Sequence, residues 1–276
     1  MFRNSQLIRH TLPFTARRLY SFSLMTRPTT SKVRVDELLL ARGLADSLAM
    51  AQAMVLAGEV LVDEQKVEKS GARVDSNARV HLLSQPSRFV SRAGIKLDHA
   101  LDHFGVEVTG KICLDLGAST GGFTDCLLQR GAAKVFAVDA GTNQLDWKLR
   151  HDARVVALEN TNARYLTFDA LGTRTGLATM DVSFISATMI LPVLPDLLEG
   201  SAQILVLVKP QFEVRREQVE RGGLVSDPRL HEWAIHKVSR KLEDLGFEGL
   251  ASGPSSLPGA KGNREYFLHA VWRKDV

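Results

Sequence analysis

A glycine-rich turn in the middle of the chain restricts the possible folds more than any other sequence feature. The turn, residues 117–122, follows a short apolar run at residues 112–114 and the acidic Asp115, and it precedes a helix-like stretch. Glycines in such a turn permit positive φ and let backbone amides approach a ligand at a helix N-terminus. The next apolar run, residues 135–138, ends at a second carboxylate, Asp139. The pattern predicts the nucleotide pocket of an α/β fold, and an ordinary strand-to-helix turn remains the alternative.

The turn lacks the residues that bind a pyrophosphate or a triphosphate. A G-x-G-x-x-G dinucleotide motif needs glycine at the position of Ser119, whose side chain would crowd a pyrophosphate. A P-loop needs lysine after its last glycine, and here Phe123 follows Gly122. The ligand that remains carries an adenosine ribose without a pyrophosphate, and Asp139 would accept hydrogen bonds from the ribose hydroxyls. S-adenosylmethionine fits this description best.

Strand-like and helix-like runs alternate from residue 111 onward. This alternation predicts a mostly parallel sheet with helices on both faces, and 45% hydrophobic content over 276 residues supports a full core. Ligands of such sheets bind at the carboxyl ends of the strands. The predicted strands lie at residues 112–114, 135–138, 155–157, 177–181, 204–208, 246–250 and 266–271.

Two charged residues close strands of this predicted sheet. Asp181 ends one strand and Lys209 follows another, so both should lie at the same edge as the glycine-rich turn. Charged groups that end buried strands favour a catalytic role, and a salt bridge that ties neighbouring strands is the alternative. Lys96 and Glu265 complete the candidate set, although the sequence by itself does not bring them together.

A smaller N-terminal segment, residues 34–83, shows the pattern of two helices followed by short strands. Gly43 and Gly58 end the predicted helices, and Asp46 or Ser47 caps the second one. The basic residues of this segment either bind RNA phosphates on a shared face or form an ordinary solvated surface. The candidates are Arg34, Arg42, Lys66, Lys69, Arg73 and Arg79, with Arg92 just beyond the segment.

Composition divides the chain into a leader and two domains. Residues 1–31 begin with an acid-free, Arg- and Ser-rich stretch, which predicts a disordered leader: a transit peptide or an extension from an upstream start codon. Residues 85–90 contain the Pro and Ser of a linker, so the predicted domains are residues 32–84 and 91–276. Four arginines precede Met25, and the other 31 basic residues balance 31 acidic ones. Net charge is therefore no argument for nucleic acid.

Neither a metal nor a membrane partner is predicted. Cys113 and Cys126 fall in a predicted strand and the following helix, which indicates buried packing in a reducing compartment. No apolar run approaches the roughly 20 residues that span a bilayer.

A series of short motifs extends along both predicted domains. In the N-terminal segment they are Arg34-Val-Asp-Glu-Leu, Gly43-Leu-Ala-Asp-Ser47 and Gly58-Glu-Val-Leu-Val62. Beyond it they are Ser91-Arg-Ala-Gly-Ile-Lys96, Asp115 to Phe123, Ala137-Val-Asp139, Asn160-Thr-Asn-Ala-Arg164, Asp181-Val-Ser-Phe184, Lys209-Pro-Gln-Phe-Glu213 and Gly262-Asn-Arg-Glu265. The first set resembles the RNA-binding domain named after ribosomal protein S-four, with departures at Leu48 and Asp63-Glu64. Together the motifs resemble the haemolysin-A-type (TlyA) family of ribosomal RNA ribose methyltransferases.

The resemblance implies a fold and an activity. The fold is a Rossmann-like methyltransferase of the FtsJ kind with a mostly parallel sheet, preceded by a small α+β RNA-binding domain. The activity is methyl transfer from S-adenosylmethionine to the 2′-oxygen of a cytidine ribose in ribosomal RNA or ribosomal subunits. The implied location is cytoplasmic, or mitochondrial if the leader is a transit peptide.

The resemblance also implies a catalytic tetrad, carried over motif by motif, and the patterns described above supply the other expected site residues. The implied catalytic tetrad is Lys96, Asp181, Lys209 and Glu265. The expected cofactor residues are Asp115, Gly117, Ala118, Gly121, Gly122, Asp139, Asn160 and Asn162. The expected RNA-binding residues are Arg34, Arg42, Lys66, Lys69, Arg73 and Arg92.

The chemistry explains why these residue types are needed. A ribose hydroxyl is a poor nucleophile at neutral pH, so its attack on a sulfonium methyl gains from a base and from strict alignment. Lysine accepts a proton only in its neutral form, which neighbouring positive charges favour and carboxylates oppose. We expect Lys209 to be the base, Lys96 to position the ribose or an adjacent phosphate, and Asp181 and Glu265 to fix the lysines.

Three other functions remain open at this point. A non-catalytic RNA-binding factor would keep the fold and lack methyl transfer. A membrane-active haemolysin would need an inserting segment or an amphipathic surface helix. If the chain were a small-molecule methyltransferase, the N-terminal segment would have no evident function.

Overall fold

The computed structural model describes residues 31–45, 47–83 and 88–274. These residues form two compact units that divide between residues 85 and 86. The predicted leader, apart from residue 31, and residues 85–87 of the predicted linker lie outside the described residues.

The N-terminal unit packs two helices and two small sheets around one core. Its helices are α1 (Val35–Ala41) and α2 (Leu48–Leu56), and its strands are β1 (Lys32–Arg34), β2 (Val60–Val62), β3 (Gln65–Lys66), β4 (Arg73–Asp75) and β5 (Val80–Leu82). Strands β1 and β4 pair antiparallel, and β3, β2 and β5 form a three-stranded sheet in that order. Both helices and strands β2 and β5 lie where the apolar spacing predicts them. The other three strands, with the sequences KVR, QK and RVD, contain at most one apolar residue each and so show no alternation.

Local sequence explains where the second helix begins and what both helices bury. Ser47 is extended and its hydroxyl accepts a hydrogen bond from the amide of Met50 at 3.2 Å, which caps α2 as predicted. Val35, Leu39 and Val55 from the two helices are fully buried in the shared core.

The C-terminal unit alternates strands with helices. Its strands are β6 (Ile112–Leu116), β7 (Lys134–Val138), β8 (Val155–Leu158), β9 (Thr175–Met180), β10 (Leu198–Val208), β11 (Phe247–Pro254) and β12 (Tyr266–Arg273). Its α-helices are α3 (Arg92–Phe104), α4 (Gly122–Gln129), α5 (Trp147–Arg150), α6 (Phe168–Leu171), α7 (Leu194–Leu197), α8 (Pro210–Glu213) and α9 (Pro228–Asp244). Single 3₁₀ turns lie at Ala163–Tyr165, Ala187–Met189, Leu191–Val193 and Arg216–Gln218.

Seven strands form one sheet in the order β11-β12-β10-β9-β6-β7-β8. Strands β8, β7, β6, β9 and β10 run parallel to one another, whereas β12 runs antiparallel to both of its neighbours, β10 and β11. This confirms the mostly parallel α/β fold. The strand order reverses between β6 and β9, and α/β sheets bind ligands at the carboxyl ends of the strands beside such a reversal.

Two hydrophobic cores cover the two faces of this sheet. Alternate residues of β6 point to opposite faces, so Leu114 belongs to the core that includes residues of α9, and Cys113 to the core beneath α3 and α4. Cys113 and Cys126 are both buried and free, in agreement with the predicted packing role. Burial raises the pKa of the Cys113 thiol to about 12, which keeps it unreactive.

Strands β10 and β11 extend furthest beyond their predicted ranges, and the pairing of each is interrupted by an irregularity. The pairing of β10 with β9 shifts register between Leu198 and Gln203, and the pairing of β11 with β12 shifts between Glu248 and Ala251. Gly249 lies inside the second bulge with φ of +61°. The apolar alternation is lost at each shift, so the predicted segments end there.

Candidate active site

The glycine-rich turn packs against the residue that follows β9. Gly117 and Gly121 have φ values of +87° and +94°. A Cβ on Gly117 would lie 2.5 Å from the carbonyl oxygen of Asp181, so glycine is required for this approach. The amides of Gly117 and Ala118 donate to the carbonyl of Val138 at 2.9 and 3.1 Å. The turn therefore joins the carboxyl ends of β6, β7 and β9.

The starts of α3 and α4 cross in close contact, which fixes the helix that carries Lys96. A Cβ on Gly122 would overlap the hydroxyl of Ser91 and lie 2.9 Å from Ala93 Cβ. A Cβ on Gly94 would lie 2.8 Å from the carbonyl oxygen of Gly122. Lys96 follows two residues later and its side chain is 7% exposed.

A cavity of about 450 Å³ opens beside the turn, a volume within the range of small-molecule sites. Asp139 lies in its wall. The two carboxylate oxygens of Asp139 accept hydrogen bonds from the amides of Ser119 at 2.8 Å and Gly141 at 2.7 Å. Further lining residues are Gly117, Gln144, Thr161, Asn162, Arg164 and Asp181.

The predicted cofactor residues occupy three kinds of position. Those that line the large cavity are Gly117, Asp139 and Asn162. Those that line a neighbouring cavity of about 210 Å³ are Gly117, Ala118 and Gly122. Among the described residues, those that line neither cavity are Asp115, Gly121 and Asn160. Ser119, Gln144, Thr161 and Arg164 also line the larger cavity and were not among the predicted cofactor residues, although each lies in the turn or in a loop that follows a predicted strand.

Asp115 is fully buried and supports the turn from within the sheet. Its carboxyl accepts hydrogen bonds from the hydroxyls of Thr124 at 2.7 Å and Thr179 at 3.2 Å. Burial raises the pKa of Asp115 from 3.8 to about 7, and the nearby charge of Asp181 adds to the rise. The side chain thus links α4 and β9 to β6.

Lys209 and Asp181 form the first of two lysine–carboxylate pairs. The Nζ of Lys209 lies 2.6 Å from Asp181 Oδ1 and donates a hydrogen bond to Ser183 Oγ at 2.9 Å. The two charged side chains are 12% and 16% exposed, so they reach the surface of the site.

Lys96 and Glu265 form the second pair, which is more deeply buried. The Nζ of Lys96 donates to Glu265 Oε2 at 2.5 Å, and the side chains are 7% and 3% exposed. The two residues are 169 positions apart in the chain. A Cβ on Gly259 would overlap the carboxylate of Glu265, so the preceding loop passes directly over this pair.

Strand register brings both pairs to one edge of the sheet. Val208 pairs with Tyr266, so Lys209 follows β10 at the end where Glu265 precedes β12. Met180 pairs with Val206 of β10 and with Leu116 of β6, so Asp181 and Gly117 follow neighbouring strands. The tetrad expected from the resemblance therefore lies on the edge that carries the glycine-rich turn.

The two cavities beside this edge share part of their walls. Gly117, Ser119, Asp181 and Ser183 line both, and Lys209 lines the smaller one. A molecule in the larger cavity and one in the smaller cavity would therefore meet at Asp181 and Ser183.

The loop after β9 holds a strained, exposed aromatic residue. Phe184 has φ of +65°, which is unfavourable for a bulky side chain, and it is 93% exposed. Its ring lies 5.3 Å from that of Phe212, and it lines the large cavity. Strain of this kind concentrates at functional sites.

A buried carboxylate ties this loop to the helix that follows Lys209. Glu213 Oε1 accepts from the amide of Ala187 at 2.7 Å, and Oε2 accepts from Ser186 Oγ at 2.5 Å and from Lys237 Nζ at 2.9 Å. Lys237 also donates to the carbonyl of Glu213 at 2.8 Å. Glu213 therefore joins the Asp181 loop, α8 and α9, a role that the sequence analysis did not assign.

The predicted RNA-binding residues of the N-terminal unit differ in their contacts. Arg34 donates to both oxygens of buried Asp36 and thereby lowers the pKa of that carboxyl to about 2. Arg42 donates to the carbonyls of Ala78 and Ser76 at 2.8 and 2.7 Å. Both arginines are thus engaged in internal contacts.

The other basic residues predicted to bind RNA lie in different parts of the two units. Arg73 lies opposite Arg34 in the β1–β4 pair, whereas Lys66 lies in the other sheet. Within the described part of the chain, Lys66, Lys69 and Arg73 make no side-chain hydrogen bond or ion pair. Arg92, in the C-terminal unit, donates to the carbonyl of Pro258 at 2.6 Å and so holds the loop before Glu265.

Comparison with known proteins identifies both units. A family model described as FtsJ-like methyltransferase matches residues 89–272. The chain belongs to this family. An S4 domain model matches residues 33–80 of the N-terminal unit. These matches confirm the two resemblances inferred from the motifs.

Similar proteins cover most of this member's length. A Mycobacterium tuberculosis protein named 16S/23S rRNA (cytidine-2'-O)-methyltransferase TlyA is 46% identical over 86% of this chain and 89% of its own. Hemolysin A of Brachyspira hyodysenteriae is 41% identical over 87% of this chain and 100% of its own. A solved structure of a hemolysin-named protein from Streptococcus thermophilus is 40% identical, covers 90% of each chain and has a TM-score of 0.69.

Over residues 31–45, 47–83 and 88–274, no helix has the length and apolar content required to cross a bilayer. The same ranges contain no group of three or more His, Cys, Asp or Glu side chains placed to hold a metal ion.

Replacing Asp115 with Asn should change how stability depends on pH. The folded-state pKa of about 7 lies above the ordinary 3.8, so the neutral carboxyl stabilises the fold fully below about pH 4. This stabilisation is lost as the pH rises towards 7. We expect the free energy of unfolding of Asp115→Asn, relative to wild type, to rise by roughly 2–3 kcal/mol between pH 5 and 8.

Urea unfolding followed by tryptophan fluorescence measures this difference, because all three tryptophans lie in the C-terminal unit. The exposed Asp169 provides a control, since Asp169→Asn should give a flat difference over the same pH range. A flat difference for Asp115→Asn as well would contradict the prediction.

Replacing Glu213 with Gln should destabilise the C-terminal unit by about 3 kcal/mol, because Lys237 loses its buried counter-charge. The same fluorescence measurement reports the loss. Exposed Glu217 carries the same charge nearby, and Glu217→Gln should stay within about 0.5 kcal/mol of wild type. Equal stability of the two variants would show that the Glu213 contacts do not hold the loop.

Proposed function

We propose that the chain transfers a methyl group from S-adenosylmethionine to the 2′-oxygen of a cytidine ribose in ribosomal RNA. The observation that carries this proposal is the pair of lysine–carboxylate contacts on the sheet edge beside the glycine-rich turn. Membership of the FtsJ-like family supports the methyl transfer. The name of the similar Mycobacterium tuberculosis protein supports the cytidine 2′-oxygen and the ribosomal RNA.

The larger cavity fits S-adenosylmethionine. Its volume of about 450 Å³ suits a nucleoside-sized ligand, and Gly117 and Asp181 both line it. We expect Asp139 to accept hydrogen bonds from the ribose hydroxyls and Asn162, in the same wall, to contact the adenine. When bound, the cofactor supplies an electrophilic methyl group on a sulfonium.

The residues on the shared wall favour Lys209 as the base. Lys209 lines the smaller cavity, whereas Lys96 is paired with buried Glu265 and lines neither cavity. In the proposed step the 2′-hydroxyl proton moves to Lys209 Nζ as the oxygen–carbon bond forms and the carbon–sulfur bond breaks. Asp181 and Ser183 hold Nζ in place, and Nζ must be neutral before it can accept the proton.

The second pair has a positioning role in this proposal. Glu265 fixes Lys96 within a largely buried contact of 2.5 Å, so their charges are set before substrate enters. A charge pair fixed at this edge of the sheet supports alignment of the ribose without reorganisation during the reaction.

The N-terminal unit supplies affinity for RNA in the proposed function. Its S4 domain match supports this role, and Lys66, Lys69 and Arg73 lack internal polar partners among the described residues. Lysine and arginine that contact phosphates release counterions and add sequence-independent affinity. We place the reaction in the cytoplasm, since the similar proteins come from bacteria, whose ribosomes work there.

Lys209→Ala should lower the rate of methyl transfer by about 10²- to 10⁴-fold, because the general base is lost. The dissociation constant for S-adenosylmethionine should stay within about two-fold, since the larger cavity is intact. Transfer of a labelled methyl group to purified ribosomal subunits, followed by mapping of ribose methyls, measures the rate. Calorimetry measures cofactor binding.

Two controls sharpen this test. Lys209→Arg keeps the positive charge and should be as impaired in methyl transfer as Lys209→Ala, because arginine does not release its proton. Exposed Lys274→Ala should behave as wild type. Turnover near wild type in Lys209→Ala would remove Lys209 from the mechanism, and RNA binding without transfer by the wild-type chain would favour a non-catalytic RNA-binding factor.

The double variant Lys69→Gln, Arg73→Gln should weaken binding to ribosomal subunits and reduce its dependence on salt. Each lost phosphate contact lowers the slope of log K against log salt by about 0.7 to 0.9, so the double variant should lose between about 1 and 2. Filter binding over a salt series gives the slope. The control Arg240→Gln, Lys241→Gln removes the same charge from α9, and an equal loss of slope there would refute a specific role for Lys69 and Arg73.

A further inference from the structure

A third cavity, of about 370 Å³, adjoins the buried lysine–glutamate pair. It is lined by Glu265 itself, by Arg264 and Tyr266 on either side of it, and by the loop at residues 254–258. Neither the family match nor the catalytic tetrad assigns a role to this cavity. Its volume is sufficient for a nucleotide-sized ligand.

Internal contacts hold the loop that forms this cavity. The amide of Ser255 donates to the carbonyl of Glu265 at 2.9 Å, and the amide of Gly259 donates to the carbonyl of Asn263 at 2.8 Å. Arg92, at the start of α3, donates to the carbonyl of Pro258 at 2.6 Å. The loop is thus fixed to the strand end and to a helix, and the cavity is formed before a ligand arrives.

Arg264 provides an available positive charge in this wall. Glu265 is buried and reaches Lys96, whereas the preceding Arg264 is exposed. Arg264 makes no hydrogen bond or ion pair with any residue that the structure describes. An unengaged guanidinium beside a preformed cavity is suited to a phosphate, which it binds in a bidentate manner.

We propose that this cavity binds the nucleotide adjacent to the methylated ribose, with Arg264 on its backbone phosphate. The inference rests on the proposed function, because it concerns the path of the RNA chain away from the reacting sugar. Glu265 is shared between the reacting edge and this cavity, so a strand whose ribose lies at the tetrad passes next to Arg264. Leu257, Pro258 and Tyr266 offer apolar surface to the sugar or base of that nucleotide.

Removal of the guanidinium tests the proposal in the full-length chain. Arg264→Gln should raise KM for ribosomal subunits by about 10-fold or more and reduce the salt slope of subunit binding by about 1. The dissociation constant for S-adenosylmethionine should be unchanged, because Arg264 does not line the larger cavity. Arg264→Lys keeps the charge without the bidentate geometry and should fall between wild type and Arg264→Gln.

A charge-matched control separates a local contact from a general loss of charge. Arg240 lies exposed on α9, and Arg240→Gln should leave both KM and the salt slope at wild-type values. Probes are purified ribosomal subunits that lack the modification, and tryptophan-monitored unfolding verifies that each variant is folded.

The outcomes distinguish this inference from the proposed function. Wild-type KM and salt slope in a folded Arg264→Gln chain would overturn the inference, as would an equal change in Arg240→Gln or a loss of cofactor affinity. In each of those cases a wild-type chain that methylates subunits leaves the proposed function standing. A wild-type chain that fails to methylate subunits overturns the proposed function and this inference with it.

Discussion

The contact between Gly117 and the main chain of Asp181 is the constraint on which the site depends. Strands β6 and β9 are neighbours at the point where the strand order reverses, and the missing side chain of Gly117 lets the turn touch the end of β9. Asp181 in turn holds Lys209. A single main-chain contact therefore sets the distance between the turn that borders the larger cavity and the ammonium group that borders the smaller one.

The ionisable groups near this contact differ in how they tolerate burial. The two lysine–carboxylate pairs keep opposite charges together, and such pairs add little net stability once the cost of desolvation is counted. Their main effect is to hold the four side chains in fixed positions. Asp115 is fully buried, and the loss of hydration raises its pKa to about 7 even though the hydrogen bonds from two threonine hydroxyls oppose that rise. The charged groups at this edge are therefore the two pairs and Asp139.

The sequence predicts those parts of the site that local pattern encodes. The glycine-rich turn, Asp181 and Lys209 each follow an apolar strand, and parallel strands place such positions at one edge of a sheet. The contact between Lys96 and Glu265 joins residues 169 positions apart, and only the resemblance to a family suggested it. Register supplies the physical reason, since the antiparallel β12 brings its amino end to this edge, and spacing along the chain does not reveal that reversal.

Other contacts could not be predicted because they leave no periodic pattern. Arg42 bonds backbone carbonyls and Glu213 bonds a backbone amide, and such partners carry no side-chain signature in the sequence. For Asp115, by contrast, the sequence does contain a signal of its position. It was expected among the cofactor residues, and it lies fully buried between Thr124 and Thr179. The alternation of Leu114, Asp115 and Leu116 places Asp115 on the opposite sheet face from its neighbours, a signal that was present in the sequence.

In the proposed reaction, alignment should contribute more than proton transfer. A general base adds about 10² to 10⁴ in rate, or about 3 to 5 kcal/mol, whereas positioning supplies about 7 to 11 kcal/mol. The structure agrees with that order of importance, because both lysines are held by carboxylates from neighbouring elements of the sheet edge. Lys209 follows β10 and its partner follows β9, while Glu265 precedes β12. A displacement of any one of these strands would misalign a charge, so the hydrogen-bonded sheet is itself the device that positions the reacting groups.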